Sequence, residues 1–388
     1  MGALERPAAL RRFFEALALL ESGQGHDDVR VVQFGDSHTA ADYETSAVRR
    51  ALQTRFGDGG RGFVAVGQPW KKYVQDGVRT GMTREWQPER GKLVHGKFVG
   101  DGCYGLGGVC LLASKRGARA WLEASAVASQ IEIAFMEQPA GGSFEVFVDG
   151  NRLARVPTNG AHTASAWKSF TVPEAAHKIE IRAGGDGDVR VFGATLDRAQ
   201  VGVVYDAIGI NGARASIALH YNEAHMAEQL KHRAPGLVVL AYGTNESVDD
   251  ASAQTYERQL VDVLGRVARA VPLASCLLLG PPDRAVETET GWTTSPRMAE
   301  IIAVQRRVAE AAGCAFYDQM EAMGGEGAMA AWTTEDPPRA AKDRVHLTRD
   351  GYTSVGTTFA NDLLRAYAAF RAEKGLTPAA RVAGAHKD

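Results

Sequence analysis

"GLVVLAYG", residues 236–243, is an unbroken apolar run with helical patterning on both sides. It is short for a helix, rich in branched residues and free of polar alternation, so it reads as a strand buried on both faces. Working outward, a helix is predicted over 213–232 before it and another over 252–270 after it. Strand "SCLLLGPP" (275–282), helix 296–312, strand "CAFYD" (314–318) and a last helix from about 350 to 373 follow. Toward the N-terminus, Leu10, Phe13, Phe14, Leu17 and Leu20 fall at helical spacing, strand 31–34 lies inside "VVQFGDSHTA" (31–40), and a helix carries Val48, Leu52 and Phe56 until "GDGGRG" stops it. Strands alternating with helices of this length predict an α/β fold, a doubly wound parallel sheet whose reactive ground is the carboxyl edge of its strands.

Residues 105–204 follow another rule. "RAWLEASAV", "SQIEIAFMEQ", "GSFEVFVDGNRLARV", "AWKSFTV" and "HKIEIRAGGDGDVRVFGATL" alternate apolar and polar residues between Gly, Pro and Asn-Gly turns. Short strands with turn signals predict an antiparallel β-sandwich inserted into the α/β domain. The expected organisation is a discontinuous α/β domain over 1–70 and 203–375, an inserted module at 105–202, a connection at 71–104 and a flexible tail at 376–388. No internal repeat or low-complexity segment is seen.

Composition narrows the function class. Of 388 residues, 45% are hydrophobic and 23% charged, and the formal net charge of −2 offers no pull toward nucleic acid. No apolar run is long enough to span a bilayer, and "MGALERPAAL" lacks the basic-then-apolar pattern of a secretory signal. Arg6 stands where a myristoylation motif needs Ser or Thr. Two locations stay open: the cytoplasm, or the periplasm or exterior with the leader outside this sequence. Cys103 and Cys110 frame "CYGLGGVC", which leaves a small disulfide loop open, whereas Cys276 and Cys314 lie in apolar runs and read as buried free thiols. Neither pair has zinc-site spacing, so no metal is expected.

The carboxyl ends of the predicted strands collect polar residues. Ser37 lies in "FGDSH", Gly212 in "GINGARAS", Asn245 in "GTNES", and Asp343 precedes His346 by three residues in "KDRVHLTRDGY". Singly, each has a plain explanation as a turn residue, helix cap or solvated loop. Together they fill the roles of acyl transfer. A serine hydroxyl needs an imidazole to take its proton, the imidazole needs a carboxylate to fix its tautomer, and the oxyanion needs preorganised donors. Ser37, His346 and Asp343 suit the first three roles; the N–H groups of Ser37 and Gly212 and the Asn245 amide suit the last.

These four blocks, in this order, resemble those of the SGNH or GDSL-type hydrolases over about 1–70 and 203–375. Two departures stand out: His38 follows the serine where the commoner block has Leu, and Asn211 precedes Gly212 where many members have Ser. His38 is therefore read as structural or as part of the rim, and Asp36 as a brace of the turn. With the β-rich insertion, "QFGDSHTA" and "GINGA" resemble the peptidoglycan O-acetylesterase branch. The resemblance implies a flavodoxin-like SGNH fold and a serine esterase that removes O-acetyl groups from a glycan through an acetyl-enzyme, and it favours the periplasm or exterior. The chemistry requires no metal or organic cofactor. The expected partner is an acetylated polysaccharide or small ester, handled by a monomer, with Trp121 and Trp167 as candidate sugar-stacking rings or core residues. An O-acetyltransferase using the same triad, and a non-catalytic glycan-binding protein on the same scaffold, are the alternatives.

Overall fold

The computed structural model describes residues 2–71, 73–94 and 97–376. The expected tail beyond Leu376 lies outside the described residues. Six strands form the α/β sheet: β1 (Leu4–Glu5), β2 (Val29–Gly35), β3 (Val203–Gly209), β4 (Leu237–Ala241), β5 (Ser275–Leu279) and β6 (Ala315–Tyr317). Their order is β1-β6-β5-β4-β2-β3, with only the edge strand β1 antiparallel.

Helices cover both faces, as an all-buried parallel sheet demands. The main ones are α1 (Arg11–Glu21), α2 (Tyr43–Phe56), α3 (Glu223–Arg233), α4 (Ala253–Ala270), α5 (Pro296–Ala311) and α6 (Arg349–Glu373). Successive strand residues point to opposite faces. Val32 and Phe34 therefore join Leu230, Leu260, Val263 and Ile301 in one core, whereas Val29 and Val31 join Phe13, Leu17, Leu52, Phe359 and Leu363 in the other. Truncating a residue such as Leu260 to Ala should cost about 2–5 kcal/mol. The helix predicted over 213–232 is divided. A 3-10 segment covers Ala215–His220, the chain extends at Tyr221, and Asn222 caps α3 through the His225 N–H.

The second part is one connected antiparallel sheet of nine strands. It adds Gly60–Val64, Val78–Met82 and Gln87–Arg90 to the strands predicted further along, so the stop at "GDGGRG" leads into a strand, and 71–104 supplies strands as well as a connection. Part of the predicted run of short strands merges into two long ones, Arg119–Glu137 and Ala164–Ala183, paired with each other across two register shifts, while Ser143–Val148, Asn151–Pro157 and Val189–Asp197 stay separate. The ladder joins all nine strands in a single network instead of two separate sheets. Their inward residues, among them Leu111, Leu122, Ile133, Phe144 and Ile181, share one core with Trp86 of an intervening turn.

Buried ion pairs fasten the two sheets together. Arg61 of the antiparallel sheet reaches Asp42, which also holds Arg49. Arg233 of α3 bridges Asp206 of β3 and Asp197 of the antiparallel sheet, while Asp206 also accepts the Phe63 N–H at 2.7 Å. Removing one partner of such a pair strands a buried charge, at a cost of about 3–5 kcal/mol.

The cysteine expectation is corrected. Cys276 and Cys314 form a disulfide, with Cα atoms 4.9 Å apart, while Cys103 and Cys110 are free. The reason is topological: β5 and β6 pair in parallel with Leu277 opposite Ala315, which brings the preceding residues side by side. No helix among the described residues is long and apolar enough to cross a membrane.

Candidate active site

Strand β2 ends at Gly35, and one helical turn, Ser37–Ala40, follows at once. Two glycines permit this. A side chain on Gly35 would collide with the Thr39 hydroxyl and the Ala241 carbonyl, and one on Gly209 would strike the Ala40 backbone. The turn thus lies directly against β3. Asp36 braces it as expected, its Oδ1 accepting the His38 N–H at 2.9 Å.

The structure brings Ser37 and His346 together across the whole chain. Ser37 Oγ lies 2.9 Å from His346 Nε2, and His346 Nδ1 lies 2.8 Å from Asp343 Oδ2. The other Asp343 oxygen accepts the N–H groups of Val345 and His346, both at 3.0 Å. Arg344 makes this possible by taking a left-handed conformation (φ 54°) that folds the loop back on the carboxylate. Partial burial opposes ionisation of Asp343, but those N–H groups and the His346 ring outweigh it and hold the carboxyl below its ordinary range.

Asn245 follows β4 at the same edge. Its Nδ2 donates to the Ala213 carbonyl at 2.9 Å, tying its turn to the Gly212 loop, and has only a long 3.4 Å contact with Asp36 Oδ2. Gly212 is exposed in a left-handed conformation (φ 76°), with open space where a side chain would be. Ser37, Gly212, Asn245, Asp343 and His346 therefore all stand at the carboxyl edge of the parallel sheet or in the loop before α6.

His38 is no part of the rim, being 5% exposed. Its ring centroid lies 5.4 Å from that of His346, and its Nδ1 is 2.9 Å from the Tyr352 hydroxyl. Burial drives this imidazole down to about 3, helped by His346, so it stays neutral. Burial also drives Asp36 up to about 8 against the His38 N–H, with Glu246 and Glu44 adding to the rise. Glu246, pushed up to about 7 mainly by burial, accepts the N–H groups of Ala215 and Gly243 and so joins two loops of the edge. Sequence reading missed Glu246 and Tyr352. The available signal was position: Glu246 adjoins Asn245, and Tyr352 opens α6 just after His346.

Trp121 and Trp167 lie away from this group, and each has a ring face occupied. Trp121 packs on Gly81 beneath the Lys178 ammonium, and Trp167 stacks on His232 at 3.8 Å between ring centroids.

Residues 169–353 match the model of the GDSL-like Lipase/Acylhydrolase family. The matched stretch is a little under half of the chain. The match includes Gly212, Asn245, Asp343 and His346 and leaves out Ser37, from which most of the antiparallel sheet separates it. The chain is similar to a solved peptidoglycan O-acetylesterase, with 26% identity, a TM-score of 0.75, and coverage of 95% of this chain and 100% of the other. A catalytic mutant of an acetylxylan esterase from Geobacillus stearothermophilus also matches, at 20% identity and TM-score 0.33 over 42% of this chain and 73% of that one. A family two carbohydrate esterase from Clostridium thermocellum with cellohexaose matches at 12% identity and TM-score 0.30 over 69% and 95%. No curated protein matched.

Proposed function

We propose that this acylhydrolase is a serine O-acetylesterase of an acetylated glycan, with peptidoglycan as the leading substrate. The observation that carries the reading is the relay of Ser37, His346 and Asp343 at 2.9 and 2.8 Å. Ser37 Oγ attacks the acetyl carbonyl as His346 Nε2 takes its proton, and Asp343 steadies the imidazolium. The oxyanion is met by the N–H groups of Ser37 and Gly212 and by the Asn245 amide, whose second hydrogen exchanges its long Asp36 contact for it. Because Asp36 holds its proton up to about pH 8, it adds no repelling charge behind the oxyanion at neutral pH. His346 then protonates the departing sugar oxygen, and a water that it deprotonates cleaves the acetyl-enzyme.

The likeness to a peptidoglycan O-acetylesterase over nearly the full length supports the glycan assignment. The Cys276–Cys314 disulfide supports an oxidising compartment, the periplasm or the exterior. The test compares Ser37→Ala, His346→Ala and the double variant for release of acetate from O-acetylated peptidoglycan, acetylated xylan and p-nitrophenyl acetate. Each single change should abolish nearly all turnover, and the double should be scarcely worse because the residues act as a unit. Losses that multiply independently would refute the relay, and release from xylan but not peptidoglycan would reassign the glycan.

A further inference from the structure

His38 lies in the single helical turn that follows β2, buried and next to Ser37. Its Nε2 is buried without a hydrogen-bond partner, so the imidazole brings an unmet polar atom into a place that leucine would fill without one. Its Nδ1 does have a partner, the Tyr352 hydroxyl at 2.9 Å. Tyr352 stands in the first turn of α6, where its N–H donates to the Thr348 carbonyl at 2.9 Å and its ring packs edge-on against His38 and beside Tyr43. The same hydroxyl oxygen accepts from the N–H of Leu347, the residue after the base. With that donor on the oxygen, the hydroxyl proton is turned to His38 Nδ1, and the ring proton of His38 resides on Nε2. Two hydrogen bonds through one oxygen thus run from the neighbour of Ser37 to the neighbour of His346.

The base needs such an anchor, because the side chains of His346 and Asp343 stand on an exposed loop. Bonds inside that loop, from the Arg344 N–H to the Ala341 carbonyl at 3.0 Å and from the Ala341 N–H to the His346 carbonyl at 2.8 Å, set its shape but not its distance from Ser37. That distance decides the chemistry, since misplacing a reacting group by about 1 Å can cost about 10²-fold in rate. We infer that His38 and Tyr352 are positioning residues, a strap that joins the turn of the nucleophile to the loop of the base and holds Ser37 Oγ and His346 Nε2 within reach of each other. The His38 ring also backs the imidazole it steadies, with ring centroids 5.4 Å apart and planes tilted by 34°. The use of the strap in catalysis rests on the esterase reading; the tie between the two segments does not.

The test reads the tie and the chemistry separately. Tyr352→Phe deletes one oxygen and keeps the ring, His38→Leu removes the acceptor, and His38→Asn keeps one, because the amide oxygen can stand where Nδ1 stood. These variants, the Tyr352→Phe/His38→Leu double and wild type are compared by NMR amide hydrogen exchange and by p-nitrophenyl acetate hydrolysis. In Tyr352→Phe the Leu347 amide should exchange about tenfold faster while amides of β4 and β5 keep their rates, a pattern that general loosening does not give. In Tyr352→Phe and His38→Leu alike, kcat should fall about 10- to 100-fold with KM unchanged. The double should be no worse, because one strap is cut only once, and His38→Asn should recover most of the loss. Where wild type turns over, an unchanged kcat in Tyr352→Phe overturns the inference. So does unchanged Leu347 exchange, a double variant whose losses multiply, or a loss in His38→Asn as deep as in His38→Leu. Tyr352→Phe decides the matter alone if the His38 variants fail to fold. Faster Leu347 exchange in Tyr352→Phe with no turnover even in wild type faults the esterase reading alone, and wild-type turnover with neither change in Tyr352→Phe faults this inference alone.

Discussion

Replacing Asp343 by Asn and by Ala separates two things that this carboxylate does. One oxygen accepts the N–H groups of Val345 and His346, and the other faces His346 Nδ1. In Asp343→Asn the backbone donors can be met only by the amide oxygen, so the amide NH₂ must face the imidazole. Nδ1 is then forced to accept, the proton moves to Nε2, and the ring cannot take a proton from Ser37. In Asp343→Ala the ring has no partner there, but the His346 side chain is 41% exposed and water can stand in, leaving some of the ring in the useful tautomer. What Ala loses is the attraction between carboxylate and imidazolium. Charges about 4 Å apart attract by about 1 kcal/mol in water and about 4 kcal/mol near a protein surface. At 1.4 kcal/mol per tenfold, Asp343→Ala should lower kcat/KM by roughly fivefold to 10³-fold. Asp343→Asn should fall at least about tenfold further, the cost of opposing two donors. The assay is p-nitrophenyl acetate hydrolysis from pH 5 to 9 on variants that melt cooperatively. An Asn variant as active as the Ala variant across that range would refute the division of labour between the two oxygens.

Three further outcomes can be checked. Asn245→Ala should lower kcat by roughly 10²–10³ with little change in KM; steady-state kinetics showing a raised KM and intact kcat would make Asn245 a binding residue instead. Glu44 is buried and pushed up to about 7, so the native state keeps a proton that the unfolded chain releases near pH 4.5. Its contribution is full at low pH and is lost as pH rises through about 7. Glu44→Gln should therefore gain on wild type between pH 5 and 8 by up to an order of 3 kcal/mol, read from urea midpoints, and a constant gap would contradict it. Breaking the Cys276–Cys314 bond, whose sequence separation is 38, should cost about 4 kcal/mol by loop entropy, measured as the guanidinium midpoint of the Cys276→Ala/Cys314→Ala protein.

The parallel sheet was legible because its strands announce themselves singly: an apolar run such as 236–243 needs no partner to be recognised. The relay residues were legible for a related reason, each following a strand or opening the last helix. What the sequence concealed depends on which segments become neighbours. Cys276 and Cys314 look like separate apolar positions until β5 and β6 pair. The long antiparallel strands were divided in two because bulged stretches around Thr171–Lys178 interrupt the alternation without ending the ladder. For His38 the sequence leaves a structural and a rim place open, because adjacency to Ser37 does not reveal that its ring turns inward to Tyr352.

Ser37 and His346 are separated by 309 positions, with the antiparallel sheet and most of the parallel sheet between them. The hydroxyl is therefore made 309 positions ahead of the imidazole that it faces. A growing chain, or one clipped before residue 343, carries an ordinary serine. The Ser37–His346 contact forms only when α6 docks on α2 and brings the loop at 343–346 to the end of β2. The contact on which the proposed chemistry depends is thus completed only once the loop at 343–346 has folded.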